Sequence, residues 1–182
     1  MRRRRTLAFV GAAAALGAAV GAGVVFARGN SHPAKAAPSA TSAVGAVEVR
    51  GTDPVTGKRV DLASFSGKPV VINIWASWCP GCNQEAADLA RFARAHQDAQ
   101  VVGVDIEDTR GDARAFYRHW GWHHPSVFDP QGSIAARLGL QGLPTTIFLD
   151  ARHRPVARIV GASNLTGFAD GLRKAEAASA GV

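Results

Sequence analysis

The chain has 182 residues, enough for one domain of ordinary size and an appended segment. Its net charge is +7, but six of its 21 basic residues and none of its 14 acidic residues lie in the first 36 positions. The remainder is nearly neutral and has no basic stripe interleaved with aromatic residues, which argues against a nucleic-acid-binding protein.

The N-terminal segment, residues 1–28, has the composition of a targeting sequence. Four arginines precede an uncharged run of 22 residues, 6–27, which is long enough to cross about 30 Å of hydrocarbon. The positive-inside rule then places everything downstream outside the cytoplasm. Residues 34–36, AKA, fit the small-residue pattern of a signal-peptide cleavage site, so cleavage is an alternative. The length of the apolar run favours an uncleaved, single-pass membrane anchor.

A linker separates this segment from the predicted domain. Residues 29–43 are rich in Pro, Ala and Ser and have little to bury, so we expect a flexible linker followed by a domain over 44–182. In chain order the predicted elements are a strand 46–50, a turn 52–58, a strand 59–62, a buried strand 68–75, a helix from Pro80, a buried strand 101–106, a helix 112–122, a short helix 133–139, strands 145–150 and 155–161, and a helix from about Leu165 to Ala178. This succession predicts an α/β fold with a mixed sheet and helices on both faces.

The two cysteines of the chain, Cys79 and Cys82, lie where the predicted central strand ends and a helix begins. Free N–H groups and the helix dipole stabilise a thiolate at that point. Cys82, one turn inside the helix, can close an internal disulfide with Cys79. A structural disulfide over so short a loop would constrain the unfolded chain little, and haem attachment needs a histidine where this chain has Asn83. The residues therefore favour a redox-active pair.

Two separated motifs carry a resemblance to a known family. GKPVVINIWASWCPGCNQE, residues 67–85, is followed about sixty residues later by GLPTTIFLD, residues 142–150. Together they resemble the thioredoxin superfamily, and within it the membrane-tethered TlpA/ResA-like thiol:disulfide oxidoreductases related to the cytochrome c biogenesis thioredoxins. The resemblance covers about residues 44–178 and implies a thioredoxin-like fold. It also implies that residues 101–142 contain the extra helix and strand of that branch.

The resemblance implies roles for the residues around the cysteine pair. Cys79 would be the exposed nucleophile and Cys82 the resolving thiol. Pro144 would follow a cis peptide bond and face the pair, where its backbone can bond a partner strand. Trp78 is expected to shield the disulfide.

A carboxylate near the thiols is the second implied feature. The TlpA/ResA-like pattern places a glutamate at the position of Glu85, three residues past Cys82, on the edge of the buried helix face. Asn73 stands where ordinary thioredoxins carry a buried aspartate, so we expect Glu85, partly buried, to handle the proton of the resolving thiol. Pro80 and Gly81 depart from much of the family, which puts proline next to the second cysteine, and this leaves the redox poise open.

The resemblance implies an extracytoplasmic enzyme that reduces disulfides in exported proteins, apocytochrome c being one candidate. Its electrons would come from a membrane-embedded thiol reductase, because no reducing pool is available outside the membrane. We expect a monomer that needs no cofactor, no metal and no nucleic acid.

Other chemistries remain as alternatives. A peroxiredoxin-like thiol peroxidase resembles residues 101–122, but it needs a threonine three residues before its reactive cysteine, where this chain has Ala76. A zinc site lacks a second cysteine pair. A copper-binding redox module without turnover would take His119, His123 or His124 as a third ligand, although related copper-assembly proteins space their cysteines three apart.

Overall fold

The computed structural model describes residues 45–181, which belong to one compact unit. The predicted targeting segment, residues 1–28, and the predicted linker, residues 29–43, lie outside the described residues. Within the described range, no helix has both the length and the apolar character needed to span a membrane.

The described residues form seven strands and four α-helices. The strands are β1 (Arg50–Thr52), β2 (Arg59–Asp61), β3 (Val70–Trp75), β4 (Gln100–Ile106), β5 (Ser126–Asp129), β6 (Thr145–Leu149) and β7 (Pro155–Val160). The helices are α1 (Pro80–Ala95), α2 (Arg110–Trp120), α3 (Ser133–Arg137) and α4 (Leu165–Ala180), with a short 3₁₀ helix at Leu62–Phe65.

Five of the strands form one mixed sheet in the order β5-β4-β3-β6-β7. Strands β3, β4 and β5 are parallel, whereas β6 and β7 run antiparallel to their neighbours. Strands β1 and β2 form a separate antiparallel pair. Apolar side chains of α1, α2 and α4 cover one face of the large sheet. Those of α3 and of residues 47–65 cover the other face. The predicted mixed sheet with helices on both faces is confirmed.

Strand β3 is central because its sequence can be buried on both sides. Its six residues, VVINIW, are all buried. Val71 and Trp75 pack towards α1, α2 and α4, whereas Ile72 and Ile74 pack towards α3. Such a continuous apolar run is typical of a strand in the middle of a parallel sheet. Its one polar residue, Asn73, therefore requires a specific partner inside the core.

Two predicted elements were wrong in detail. Of the predicted strand 46–50 only Arg50 is in a strand, because Val49 packs into the core while the N–H of Val47 bonds to the carbonyl of His153 outside any ladder (2.8 Å). The predicted helix 112–122 begins earlier and ends at Trp120, because Gly121 adopts the left-handed conformation (φ 63°) that ends helices.

Strand β5 was not predicted. Its four residues, SVFD, show neither a long apolar run nor a clear alternation, because the buried Ser126 and Asp129 have polar partners. The hydroxyl of Ser126 accepts from the indole of Trp75 (3.1 Å), and Asp129 accepts the N–H of Ile134 at the start of α3 (2.9 Å). These tertiary contacts leave no local pattern in the sequence.

Candidate active site

The cysteine pair lies at the N-terminus of α1, directly after the central strand. Cys79 is the N-cap residue, Pro80 is the first helical residue, and the N–H of Cys82 donates to the sulfur of Cys79 (3.1 Å). The two cysteines form a disulfide with their Cα atoms 5.2 Å apart. An orphan N–H of the first turn therefore points at the sulfur that the sequence predicts to be the nucleophile.

Cys79 is not exposed in this disulfide form, which corrects the expectation from the family. It is 3% exposed and Cys82 is 1% exposed, and both belong to the core cluster around Trp75. The physical reason is packing, because the side chain of Cys79 is part of the same apolar cluster as Ala76 and Cys82. The neighbouring Trp78 is 55% exposed, so the redox loop, residues 76–79, still presents an aromatic side chain at the surface.

Pro144 lies against the segment that joins the cysteines. The Leu143–Pro144 peptide bond is cis, as the resemblance implies. A Cβ atom added at Gly81 would lie 2.9 Å from Cδ of Pro144, so the proline ring packs directly on the glycine backbone. The carbonyl of Pro144 accepts the N–H of Gly161 (2.8 Å). Gly81 is thus required by close approach, a reason that the sequence did not reveal.

Glu85 is more buried than the sequence suggested. It is 1% exposed rather than partly buried at the edge of the helix face. One carboxylate oxygen accepts from Nδ2 of Asn73 (2.8 Å) and the other accepts the N–H of Ser163 (2.8 Å). Burial raises the pKa of Glu85 from 4.5 to about 7, against the opposing effect of the hydrogen bonds from Ser163 and Asn73. This carboxyl group can therefore exchange a proton near neutral pH.

Asn73 is the residue of β3 that reaches Glu85. It is fully buried, and its Nδ2 also donates to Oγ1 of Thr146 on β6 (3.1 Å). Its Oδ1 has no hydrogen-bond partner. A half-turn of the amide would direct Oδ1 at a protonated Glu85, so the same side chain can serve either protonation state.

The redox loop has a second set of contacts, on the side of β4, that sequence reasoning missed. The carboxylate of Asp108 accepts from the N–H of Ser77 (2.7 Å) and from its hydroxyl (2.9 Å). The indole N–H of Trp78 donates to the carbonyl of Glu107 (3.0 Å). One general rule could have found these contacts: the carboxyl ends of adjacent parallel strands meet at the same edge of a sheet.

Asp105 is a further buried carboxyl group on this side. It lies beside Trp75 in the pairing of β4 with β3, is fully buried, and neither of its oxygens has a hydrogen-bond partner. Burial, followed by the negative charge of Asp108, raises the pKa of Asp105 from 3.8 to about 8. Asp105 is therefore mostly protonated at pH 7.

The three histidines that the sequence offers as metal ligands lie in different surroundings. His119 and His123 are exposed, whereas His124 is buried and stacks on Trp122 with 4.5 Å between ring centroids. Burial lowers the pKa of His124 to about 3, so it is neutral at pH 7. Across residues 45–181, no three His, Cys, Asp or Glu side chains form a group that could hold a metal ion.

Comparison with known proteins identifies the family of this chain. A model of the AhpC/TSA family matches residues 34–155. The chain belongs to the AhpC/TSA family. It is 39% identical over 98 residues to the thiol:disulfide interchange protein DsbE of Allochromatium vinosum, which is 51% of this chain and 54% of that protein. It is 24% identical over 120 residues to the thiol-disulfide oxidoreductase ResA of Bacillus thuringiensis, covering 65% of this chain and 69% of that protein. The chain thus spans about half the length of the DsbE relative.

Solved structures with the same fold confirm the thioredoxin-like architecture. A DsbF homologue from Corynebacterium diphtheriae superposes with a TM-score of 0.66 at 31% identity, over 71% of this chain and 85% of that chain. A secreted disulfide oxidoreductase of Mycobacterium tuberculosis, homologous to DsbE, superposes with a TM-score of 0.64 at 25% identity, over 70% of this chain and 96% of that chain.

Proposed function

We propose that this protein is an extracytoplasmic thiol:disulfide oxidoreductase that reduces disulfides in exported proteins through Cys79 and Cys82. The observation that carries the proposal is the Cys79–Cys82 disulfide at the start of α1, beside a buried carboxyl group with a pKa of about 7. The names of the DsbE and ResA relatives, which describe thiol–disulfide exchange, support the same chemistry.

The first step begins with the dithiol form. The thiolate of Cys79, stabilised by the N-terminus of α1, attacks one sulfur of a disulfide in the partner protein. A bond forms between Cys79 and that sulfur, the partner's disulfide breaks, and the second partner sulfur leaves as a thiolate that takes up a proton. The product is a mixed disulfide. The backbone groups of Leu143, directly before Pro144, can pair with the extended backbone of the partner during this step, whereas the carbonyl of Pro144 already accepts from Gly161.

The second step releases the partner. Cys82 gives its proton to Glu85 and attacks the sulfur of Cys79, so the internal disulfide forms and the bond between Cys79 and the partner sulfur breaks. That sulfur leaves as a thiolate that takes up a proton, and the partner departs with both cysteines reduced. Two electrons pass from the Cys79/Cys82 dithiol to the partner. Glu85 lies one helical turn past Cys82, and its pKa of about 7 suits it to accept a proton at neutral pH.

The cycle then needs a reductant, because the chain ends each turnover as the disulfide. A membrane-embedded thiol reductase could supply the electrons, because no pool of reduced thiols is available outside the cytoplasm. An N-terminal membrane anchor over residues 1–28 would hold the domain, residues 44–182, at the same membrane. Apocytochrome c, which must present reduced cysteines for haem attachment, is one candidate substrate.

Insulin reduction with trapping of the covalent intermediate tests this function. The unmutated protein should reduce insulin disulfides when a chemical reductant regenerates it, and Cys82→Ala should accumulate a mixed disulfide through Cys79. Cys79→Ala should do neither. An unmutated protein that fails to reduce either insulin or a disulfide-bonded CxxCH peptide would refute the proposal.

A thiol peroxidase is the second candidate, and the AhpC/TSA family match favours it. The position of the peroxidase threonine is Ala76, whose buried side chain offers no hydroxyl group. Peroxide would have to oxidise Cys79 to a sulfenic acid, which Cys82 would then convert to the disulfide with release of water. Rapid consumption of hydrogen peroxide by the reduced protein, faster than its reaction with insulin, would replace our proposal with this one.

A further inference from the structure

The connection between β4 and α2, residues 107–109, holds the redox loop from one side. Two residues that immediately precede Cys79 each have a partner there. Ser77 donates to Asp108 from its backbone N–H (2.7 Å) and from its hydroxyl (2.9 Å). Trp78 donates to the carbonyl of Glu107 (3.0 Å). The path from the central strand to the nucleophile is therefore fixed by a segment about thirty residues away in sequence.

The carboxylate of Asp108 is well matched to this task. It also accepts the N–H of Thr109 (2.7 Å), so it receives three hydrogen bonds in all from Ser77 and Thr109. Hydrogen bonds to an ionised acceptor are stronger than those between neutral groups. An amide at this position could accept from one oxygen only, so an ionised aspartate is the side chain that satisfies all three donors.

Asn83, in the first turn of α1, also holds the redox loop. Its Nδ2 donates to the carbonyls of Ser77 and Cys79, each at 3.0 Å. Its Oδ1 accepts from the indole N–H of Trp120 at the end of α2 (3.3 Å). The connection before α2 thus contacts the redox loop directly, and Trp120 at the end of α2 contacts it through Asn83. Ser77 is held at its N–H, its hydroxyl and its carbonyl.

The backbone of the connection adopts a costly conformation to make these contacts. Glu107 has φ 48°, in the left-handed region that a residue with a side chain seldom occupies. Such a conformation persists only where surrounding contacts stabilise it. The bonds that Glu107 and Asp108 form with the redox loop are such contacts.

We propose that Asp108 is a positioning residue for Cys79. By holding Ser77 it fixes the turn that places the sulfur of Cys79 at the N-terminus of α1, in line for attack on a partner disulfide. The inference rests on the proposed function and adds to it a determinant that lies outside the CxxC and Pro144 motifs. Asp108, Arg110 and Asp53 all act electrostatically on the buried carboxyl group of Asp105.

The test compares the reactivity of Cys79 in matched variants. A displacement of about 1 Å can cost about 100-fold in rate, so the partial loosening in Asp108→Ala should slow insulin reduction by about 10-fold. It should also shift the midpoint of the pH profile for iodoacetamide alkylation of Cys79. Asp108→Asn, which keeps an acceptor for the N–H of Ser77, should recover part of the loss. Asp112→Ala removes the same charge from the first turn of α2, where the carboxylate contacts Thr109, and should behave like the unmutated protein.

The outcomes separate this inference from the proposed function. If Asp108→Ala does not fold, Ser77→Ala replaces it in the test, because this variant loses only the hydroxyl group that donates to Asp108. Ser77→Ala should slow thiol–disulfide exchange in the otherwise unmutated protein. The same substitution should slow exchange by a smaller factor in a protein that already carries Asp108→Asn. Asp108 variants with the alkylation profile and exchange rate of Asp112→Ala would overturn the positioning role. An unmutated protein that reduces neither insulin nor a disulfide-bonded CxxCH peptide would refute the proposed function, and the alkylation profiles would still decide on Asp108.

Discussion

The two sides of the redox loop differ in what they offer to the cysteine pair. The β6 side contributes a buried network around a titratable carboxyl group, formed by Asn73, Glu85, Thr146 and Ser163. The β4 side contributes hydrogen bonds to the two residues before the nucleophile: Asp108 accepts from Ser77, and the carbonyl of Glu107 accepts from the indole of Trp78. The comparison indicates a division of labour. In the proposed mechanism the β6 side handles the proton of Cys82 during resolution, and the β4 side positions Cys79 for attack.

The largest expected effect comes from replacing the cysteines, because Cys79 is needed for attack on the partner disulfide and Cys82 for resolution of the mixed disulfide. Cys79→Ala should abolish mixed-disulfide formation, because it removes the attacking sulfur. Cys82→Ala should keep attack and stop resolution, so that the partner stays covalently bound through Cys79. Gel electrophoresis without reductant measures both. Partner-linked species in Cys79→Ala would reverse the assigned roles.

The pH dependence of stability should reveal Glu85 on the β6 side. Its pKa is raised from 4.5 to about 7 in the fold, so the native state binds the proton more tightly than the unfolded state. The contribution of Glu85 to the free energy of unfolding should therefore fall by about 3 kcal/mol as pH rises from about 4.5 to about 7, and this contribution should level off above that pH. Glu85→Gln should remove this part of the slope.

Chemical denaturation of the oxidised protein at several pH values measures that difference. Glu85→Gln should also lower the apparent thiol pKa values of the reduced protein, because it removes a negative charge near the thiolates, and should slow resolution. If Glu85→Gln and the unmutated protein show the same dependence of unfolding free energy on pH, the same thiol pKa values and the same resolution rates, Glu85 has a purely structural role.

The close approach of Pro144 to Gly81 predicts a smaller effect. Gly81→Ala would place a Cβ 2.9 Å from Cδ of Pro144 and should destabilise the fold by about 1–3 kcal/mol, despite the better helix propensity of alanine. Gly111→Ala is the matched control in the first turn of α2. Its Cβ would meet Oγ1 of Thr109 at 3.6 Å, an ordinary contact, so it should be neutral or stabilising. Equal unfolding free energies for the two variants would contradict the packing role of Pro144.

The smallest effect is expected from Asp105 on the β4 side. Its pKa of about 8 makes it mostly neutral at pH 7, where Asp105→Asn should change the free energy of unfolding by less than about 1 kcal/mol. Above pH 8 the variant should be the more stable protein, because it avoids a buried negative charge. Denaturation at pH 7 and pH 9 tests this, and a variant that is less stable at both values would show that Asp105 is ionised in the fold.

The β6 side was largely predictable from the sequence, and the β4 side was not. Cys79, Cys82, Glu85 and Pro144 belong to short motifs whose chemistry can be stated without a structure. The contact between Ser77 and Asp108 joins two segments that neither composition nor periodicity connects, and only the pairing of β3 with β4 brings them together.

Burial explains the remaining differences between expectation and structure. The helical periodicity placed Glu85 at the edge of the apolar face, but the approach of Ser163 from the turn before α4 covers it completely. Periodicity describes a helix alone, whereas burial depends on every element that packs against it. The same limit applies to Cys79, which packs in the core cluster around Trp75 although it lies at the start of a helix.

A redox titration of the Cys79/Cys82 pair tests the central claim most directly. The protein is equilibrated with dithiothreitol or glutathione buffers of known potential, and the reduced fraction is counted by alkylation. A reductant of exported disulfides should have a potential near the thioredoxin value of about −270 mV. A value near about −120 mV, the potential of a strong oxidant, would contradict the account.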